Sequence, residues 1–127
     1  MGPIQGATIV ALIGALGGVT LGAQVATQDP VKLSPQYYTV RSEDTRVRVL
    51  EYRLKPGQKE VMHSHPSYVV YFLGDATVRA TSPDGKVSDT NVTQGEVLIR
   101  DPLSHALENV GVTELHALLA ELKPHAP

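Results

Sequence analysis

The sequence contains no cysteine and no tryptophan, and it has only five tyrosines and one phenylalanine in 127 residues. Without cysteine the chain cannot form a disulfide, a thiolate metal site or a cysteine nucleophile. So few aromatic side chains argue against a stacking platform for nucleic-acid bases. Any metal site must therefore use histidine, carboxylate or tyrosine ligands.

Neither sign of charge is in excess, because 11 Lys and Arg stand against 13 Asp and Glu, for a formal net charge of −2. A chain with this balance lacks the basic surface that attracts nucleic acids or anionic membranes. Hydrophobic residues make up 42%, and this length is enough for one domain with a buried core. We therefore expect a single folded domain and no nucleic-acid partner.

Charge is also missing from the segment Ala7 to Ala23, which is apolar but contains four glycines. An apolar core followed by small residues is typical of a secretory signal. The alternative is an uncleaved anchor, although the segment is at the short limit for a span of ~20 residues. We predict that residues 1–26 are a signal peptide or anchor and that residues 27–127 form the domain. The predicted localisation is periplasmic or secreted, with a membrane-anchored form as the alternative.

From Tyr37 onward the sequence predicts short strands separated by turns. The segment Thr45 to Leu54 alternates with a period of two, and Tyr68 to Leu73 is a continuous apolar run typical of a strand buried on both faces. The segment Glu114 to Leu122 has a helix-favouring composition, but its context favours a strand. Many short strands at even spacing predict an all-β sandwich or barrel. Further strands are predicted at residues 61–65, 76–81, 86–93, 96–99 and 105–110.

His63 and His65 are separated by one residue in a segment that we expect to be extended. Side chains two residues apart on a strand point to the same face. Both imidazoles can then contact one ion at the ~2 Å distance of a metal–nitrogen bond. Two histidines on a polar surface would give the same pattern, so the pair alone is a weak signal.

The residues around this pair and a second segment downstream resemble the two motifs of the cupin family. The resemblance covers roughly residues 47–122. It implies a cupin-type double-stranded β-helix, an antiparallel barrel related to the jelly roll. The matching residues are Gly57, His63, His65 and Gly74 in the first motif, and Gly95, Pro102, His105 and Asn109 in the second.

The resemblance also implies that His63, His65 and His105 bind one divalent metal ion inside the barrel. Imidazole ligands suit Fe, Mn, Zn or Cu, so the metal is not identified. The sequence departs from the first motif at its glutamate, because Val69 and Val70 stand where that residue should fall. Three histidines can still form a complete ligand set with open positions for water or substrate.

Three residues after the histidine pair are predicted to border the pocket: Tyr68, Val69 and Tyr71. If the chain stays regular, two-residue parity places Val69 and Tyr71 on the face of the paired histidines, and Val70 on the opposite face. A Tyr68 phenolate could bind ferric iron, but a role in lining the barrel is favoured.

Three functions are compatible with these residues. The first is a metal-dependent oxygenase or lyase that acts on a small organic acid or thiol, since some cupins that add dioxygen to thiols resemble this three-histidine arrangement. The second is a barrel that binds a metal or a small ligand without turnover, and the third is a barrel whose site has decayed. We expect a small molecule as partner and no membrane contact after signal removal, and a homodimer is left open.

Overall fold

A computed structural model of the chain describes residues 28–124. The predicted signal or anchor segment, residues 1–26, and the C-terminal tail with His125 lie outside the described residues. The described part contains one short helix and nine strands, and no helix in it is long and apolar enough to span a membrane. The elements are α1 (Pro30–Leu33), β1 (Tyr38–Glu43), β2 (Val47–Leu54), β3 (Lys59–His65), β4 (Tyr68–Phe72), β5 (Ala76–Thr81), β6 (Val87–Val92), β7 (Val97–Arg100), β8 (Leu103–Asn109) and β9 (Leu115–Leu122).

The nine strands form two antiparallel sheets, which confirms the prediction of an all-β barrel. One sheet has the order β1-β2-β9-β4-β7 and the other the order β3-β8-β5-β6. Inward-facing side chains of both sheets, such as Leu50 and Val78, belong to one buried apolar cluster. Every strand predicted between residues 45 and 122 is present, with its ends within two residues of the prediction.

The segment with a helix-favouring composition is a strand, as predicted from its context. Strand β9 pairs with β2 on one side and with β4 on the other. Its alternate residues Leu115, Ala117, Leu119 and Glu121 are buried. Pairing on both edges and burial of every second side chain therefore outweigh intrinsic helix propensity.

Helix α1 and strand β1 were not among the predicted elements. The helix is only four residues long, and its signal is local: Asp29 caps it by accepting a hydrogen bond from the backbone N–H of Val31, and Pro30 occupies the first turn. Asp at the cap and Pro at the first position are both favoured at helix starts. A helix this short has no periodicity for a sequence pattern to reveal.

The predicted parity of strand β4 was wrong. Tyr68, Val70 and Phe72 are buried and line the interior, whereas Val69 is half-buried and Tyr71 is 41% exposed on the outer face. Strand β3 lies in one sheet and β4 in the other. The alternation of faces holds only within one strand, and the chain changes sheets between the two.

Candidate metal centre

The three predicted histidines lie together on two neighbouring strands. His63 and His65 are on β3, and His105 on β8 is the direct cross-strand partner of His63. One ligand-capable nitrogen from each lies within 4.8 Å of the others. His63 is fully buried and His65 is 3% exposed. Strand pairing thus brings a residue 40 positions away in the sequence beside the local pair.

Two ring nitrogens of this cluster are buried without a partner. Nε2 of His63 and Nε2 of His105 make no hydrogen bond within residues 28–124. A buried polar atom that lacks a partner destabilises the fold by roughly 1–3 kcal/mol. A cation that accepts both lone pairs would satisfy both atoms at once, so the cluster fits a metal ion.

The Nδ1 atoms of His63 and His65 are held by acceptors, which fixes the tautomers of these two histidines. Nδ1 of His63 donates to the carbonyl of Val61 at 2.8 Å, and Nδ1 of His65 donates to Oε2 of Glu121 at 2.7 Å. A carbonyl or carboxylate oxygen accepts the hydrogen bond, so Nδ1 carries the proton and Nε2 keeps its lone pair. Metal-ligating histidines are usually held in this way.

Burial keeps the unpartnered histidines neutral. It lowers the pKa of His63 to about 4 and that of His105 to about 3. The pKa of His105 is lowered further by the neighbouring imidazoles of His63 and His65 and by the Arg100 guanidinium. Neutral imidazole is the form that binds a metal, so both side chains are ready to bind well below neutral pH.

Glu121 connects the cluster to a chain of charges that the sequence pattern did not reveal. Its Oε1 accepts hydrogen bonds from Arg48 at 2.6 and 2.9 Å, and Arg48 also donates to Asp29 at 2.9 and 3.1 Å. The chain runs from β9 through β2 to the cap of α1. The carboxylate that orients His65 is therefore itself held in place and partly neutralised.

Glu60 is a second buried carboxyl group beside the histidines that sequence reasoning missed. Its Oε1 accepts hydrogen bonds from the hydroxyls of Tyr52 at 2.7 Å and Tyr38 at 3.1 Å, and its Oε2 lies 3.2 Å from Nδ1 of His63. Burial raises the pKa of Glu60 to about 7, against the opposing effect of the tyrosine hydroxyls. Glu60 therefore sits behind His63, on the side away from the unpartnered Nε2.

A cavity of about 650 Å³ lies between the two sheets and reaches the histidines. His65, His105 and Tyr68 form part of its wall, and most of the other lining residues are aliphatic or aromatic. Val69 and Tyr71, which were predicted to border the pocket, do not line it, because they face outward on β4. Val70 takes the inward position instead.

The other candidate residues lie away from the cluster. His116 is on the outer side of β9, where Nε2 is 2.6 Å from Oε2 of Glu51. Arg79 is paired with Asp89 at 2.8 Å on the exposed face of β5 and β6. Arg100, in contrast, lines the cavity.

No protein-family model and no curated protein sequence matches the chain. Among solved structures, a cupin domain from Bordetella pertussis Tohama I is 28% identical, with a TM-score of 0.63 over 68% of this chain and 92% of that one. A conserved protein with a double-stranded β-helix domain from Klebsiella pneumoniae is 21% identical, with a TM-score of 0.54 over 68% of this chain and 75% of that one. A cupin superfamily protein from Desulfitobacterium hafniense is 15% identical, with a TM-score of 0.53 over 68% of this chain and 76% of that one. The antiparallel double-stranded β-helix and this similarity identify the fold of the chain as that of the cupin superfamily.

Proposed function

We propose that His63, His65 and His105 hold one divalent metal ion at the wall of the cavity, and that the barrel brings a small organic molecule to it. The observation that carries this proposal is the pair of buried nitrogens, Nε2 of His63 and of His105, that lack any partner in the described residues. Nδ1 of His63 donates to the carbonyl of Val61, which leaves the Nε2 lone pair of His63 free for a cation. When bound, such an ion would supply Lewis-acid or oxygen-activating chemistry.

The protein's own contribution would be to orient the metal ligands and to exclude water. Glu121 holds the ring of His65 through its Nδ1, and the carbonyl of Val61 holds the ring of His63 in the same way. The aliphatic wall of the cavity would keep bulk water away from the ligand, which strengthens electrostatic interactions there. Fe, Mn, Zn and Cu all suit three imidazoles, and an oxygenase or lyase reaction is the proposed enzymatic activity.

A barrel that binds a ligand without turnover is the second candidate function. The observation that favours it is Val70, which faces the cavity and is one of the two valines that stand where the glutamate of the first cupin motif should fall. A valine there removes a potential acid–base group and extends the apolar wall. Sites with mostly apolar walls and a few polar groups are typical of small-molecule binding.

Metal analysis of purified variants tests the site. After chelator treatment and reloading with Zn²⁺, Mn²⁺, Fe²⁺ or Cu²⁺, wild-type protein should retain about one ion per chain. His63→Ala and His105→Ala should each lower the affinity for that ion by at least about tenfold. His116→Ala is the matched control, because His116 is on the same barrel but faces outward, and its metal content should not change. Equal metal content in all four proteins would show that the histidine cluster is not the site.

Turnover separates the two functions. Metal-loaded protein should be screened with thiols and organic acids for dioxygen consumption and for product formation under argon. An oxygenase would consume dioxygen with one of these compounds, and a lyase would form product without it. Tight binding of a compound with neither change would support the ligand-binding barrel. Export of the protein, proposed from residues 1–26, is compatible with either function.

A further inference from the structure

Arg100 differs from every other arginine in the chain. The sequence has six arginines, all within residues 28–124. Five of them have a carboxylate partner within 4 Å, whereas Arg100 has none among the described residues. The five paired residues are Arg41, Arg46, Arg48, Arg53 and Arg79.

The register of the strands places this free guanidinium at the histidine end of the cavity. Arg100 on β7 is the cross-strand partner of Tyr68 on β4, and both line the cavity. The ring of Tyr68 lies 4.7 Å from the ring of His65. Arg100 and the cluster therefore face the same space.

The other charged residues that line the cavity are Lys86 and Glu96, and they lie at opposite ends of it. Lys86 precedes Val87, the first residue of β6, which pairs with Thr81. Thr81 also pairs with Ala106, the neighbour of His105, so Lys86 lies at the histidine end. Lys86 has only a loose contact with Asp84, at 3.9 Å. The one acidic residue that lines the cavity, Glu96, precedes β7 at the opposite end. Among the residues that line the cavity, positive charge is thus concentrated at the histidine end.

The space between these ends is apolar. Val70, Phe72, Val78, Leu98 and Leu119 line it from both sheets. Its volume of about 650 Å³ is in the range of cavities that enclose a small organic molecule. A ligand that fits both features must have a compact apolar body and a negatively charged group at one end.

We propose that the cavity binds a carboxylate with an apolar body, and that Arg100 holds the carboxylate beside the three histidines. The planar guanidinium matches the two oxygens of a carboxylate and makes strong charge-assisted hydrogen bonds to them. The inference deepens the proposed function and rests on it for the role of the anion next to the metal. The anion site itself requires only Arg100 and the apolar wall.

Titration calorimetry on metal-free protein tests the anion site. The probes are straight-chain carboxylates from butanoate to decanoate, octan-1-ol as the neutral counterpart of octanoate, and inorganic phosphate as an anion without an apolar body. Affinity should rise by about fourfold for each added CH₂ until the cavity is filled. Octanoate should bind at least about tenfold more tightly than octan-1-ol or phosphate.

Two variants isolate the guanidinium. Arg100→Gln should weaken octanoate binding by about tenfold or more and leave octan-1-ol binding unchanged. Arg79→Gln is the matched control, because that arginine is paired with Asp89 on the outer face, and it should bind octanoate as wild type does. Each protein is also loaded with metal and assayed for metal content, which should be equal in all three.

The outcomes separate this inference from the proposed function. Arg100-dependent octanoate binding in a protein that takes up no metal would support the anion site and overturn the metal proposal. Metal uptake together with octanoate binding that Arg100→Gln leaves unchanged would overturn the anion site. The anion site would also be overturned if every carboxylate bound with a Kd above about 1 mM, or if phosphate bound as tightly as octanoate.

Discussion

At the scale of single residues, the histidines of the cluster depend on different supports. His63 is fully buried and donates to the carbonyl of Val61 on its own strand. His65 depends on a carboxylate from another strand, Glu121, which is itself held by Arg48. Loss of such an outer partner typically lowers metal affinity by roughly 10–100-fold. The orientation of His65 is therefore sensitive to residues that never touch the ion.

The inward position of Val70 predicts how the missing carboxylate could be restored. Val70→Glu should add a carboxylate on the inner face and tighten divalent metal binding by about tenfold or more. Without metal the same variant should melt at a lower temperature than wild type, because it buries a carboxyl group in an apolar wall. Isothermal titration with Zn²⁺ and thermal melts with and without metal measure both effects.

Val69→Glu is the control, because Val69 is the adjacent residue on the outer face. It should leave metal affinity within about twofold of wild type. It should lower the melting temperature of the metal-free protein less than Val70→Glu does, because Val69 is only half-buried. Tighter metal binding by the Val69 variant and not by the Val70 variant would contradict the inward placement of Val70.

The lowered pKa values of His63 and His105 predict a loss of stability in acid. Unfolded, both side chains titrate near 6.5, whereas in the folded protein their pKa values are about 4 and about 3. Between about 6.5 and 4 the unfolded chain therefore binds more protons at these two sites, and stability falls as the pH falls. The pKa of Glu60 is raised from 4.5 to about 7 by folding, so between these values Glu60 stabilises the fold as the pH falls. Because one such group opposes two histidines, the net stability should still fall.

Melting temperatures of the metal-free protein from pH 7 to pH 4.5 measure this effect. We expect the melting temperature to fall steadily with pH, and His105→Gln should flatten the slope because it removes one of the two titrating groups. His116→Gln, outside the cluster, should keep the wild-type slope. A melting temperature that rises as the pH falls would mean that the two histidines are not buried in their neutral form.

At the scale of elements, an irregularity in β3 shapes the site. The pairing of β3 with β8 shifts register between Glu60 and His63. The shift places both side chains in the interior, although an odd number of positions separates them. A bulge of this kind re-aims side chains at functional sites. It gives the cluster a buried carboxyl group that a regular strand would have turned outward.

Asn109, at the end of β8, joins three segments through its side chain. It is 1% exposed, its Nδ2 donates to the carbonyls of Leu54 and Thr113, and its Oδ1 accepts from the N–H of Gly111. Asn109→Ala should lower the free energy of unfolding by about 2–3 kcal/mol, because buried backbone groups would lose their partners.

Urea denaturation of Asn109→Ala and wild type measures the difference. Asn91→Ala is a suitable control, because Asn91 lies on the exposed face of β6, where it accepts a hydrogen bond from Thr77. This variant should lower the free energy of unfolding by less than about 1 kcal/mol. Equal stability of the Asn109 variant and wild type would show that water replaces these hydrogen bonds without loss.

At the scale of the whole molecule, the site exists only because two sheets close around it. His63, His65 and His105 come from the four-stranded sheet, whereas Glu121, Tyr68 and Arg100 come from the five-stranded sheet. Helix α1 is connected to this arrangement through the Asp29–Arg48 pair. A bound metal would therefore stabilise the assembled barrel over the unfolded chain by mass action.

Export remains a prediction for the molecule as a whole, since residues 1–26 lie outside the described residues. Intact-mass measurement on protein recovered from its native cell should show the loss of roughly the first 23 to 27 residues. A protein that carries Lys in place of Leu12 and Leu16, in the centre of the apolar segment, should stay unprocessed. Full-length wild-type protein in the cytosolic fraction would contradict the prediction.

The sequence by itself determined the features that depend on local chemistry. Alternating and continuous apolar runs located the strands, and glycine and proline marked the turns between them. Gly57 and Gly95 of the two motif segments have φ values of 83° and 86°, which glycine adopts without strain. The one-residue spacing of His63 and His65 was enough to place both imidazoles on one face.

Only the tertiary structure decided which faces meet. The parity of β4 could not be carried across the change of sheet, so Val69 and Tyr71 were predicted inside and lie outside. Glu121 orients His65 across 56 positions of sequence, and no local pattern encodes such a contact. Arg100 is distinguished from the other arginines by the absence of a partner in the described residues, which is a property of the assembled barrel. Strand patterns are set by neighbours along the chain, whereas the site is set by register and by the packing of two sheets.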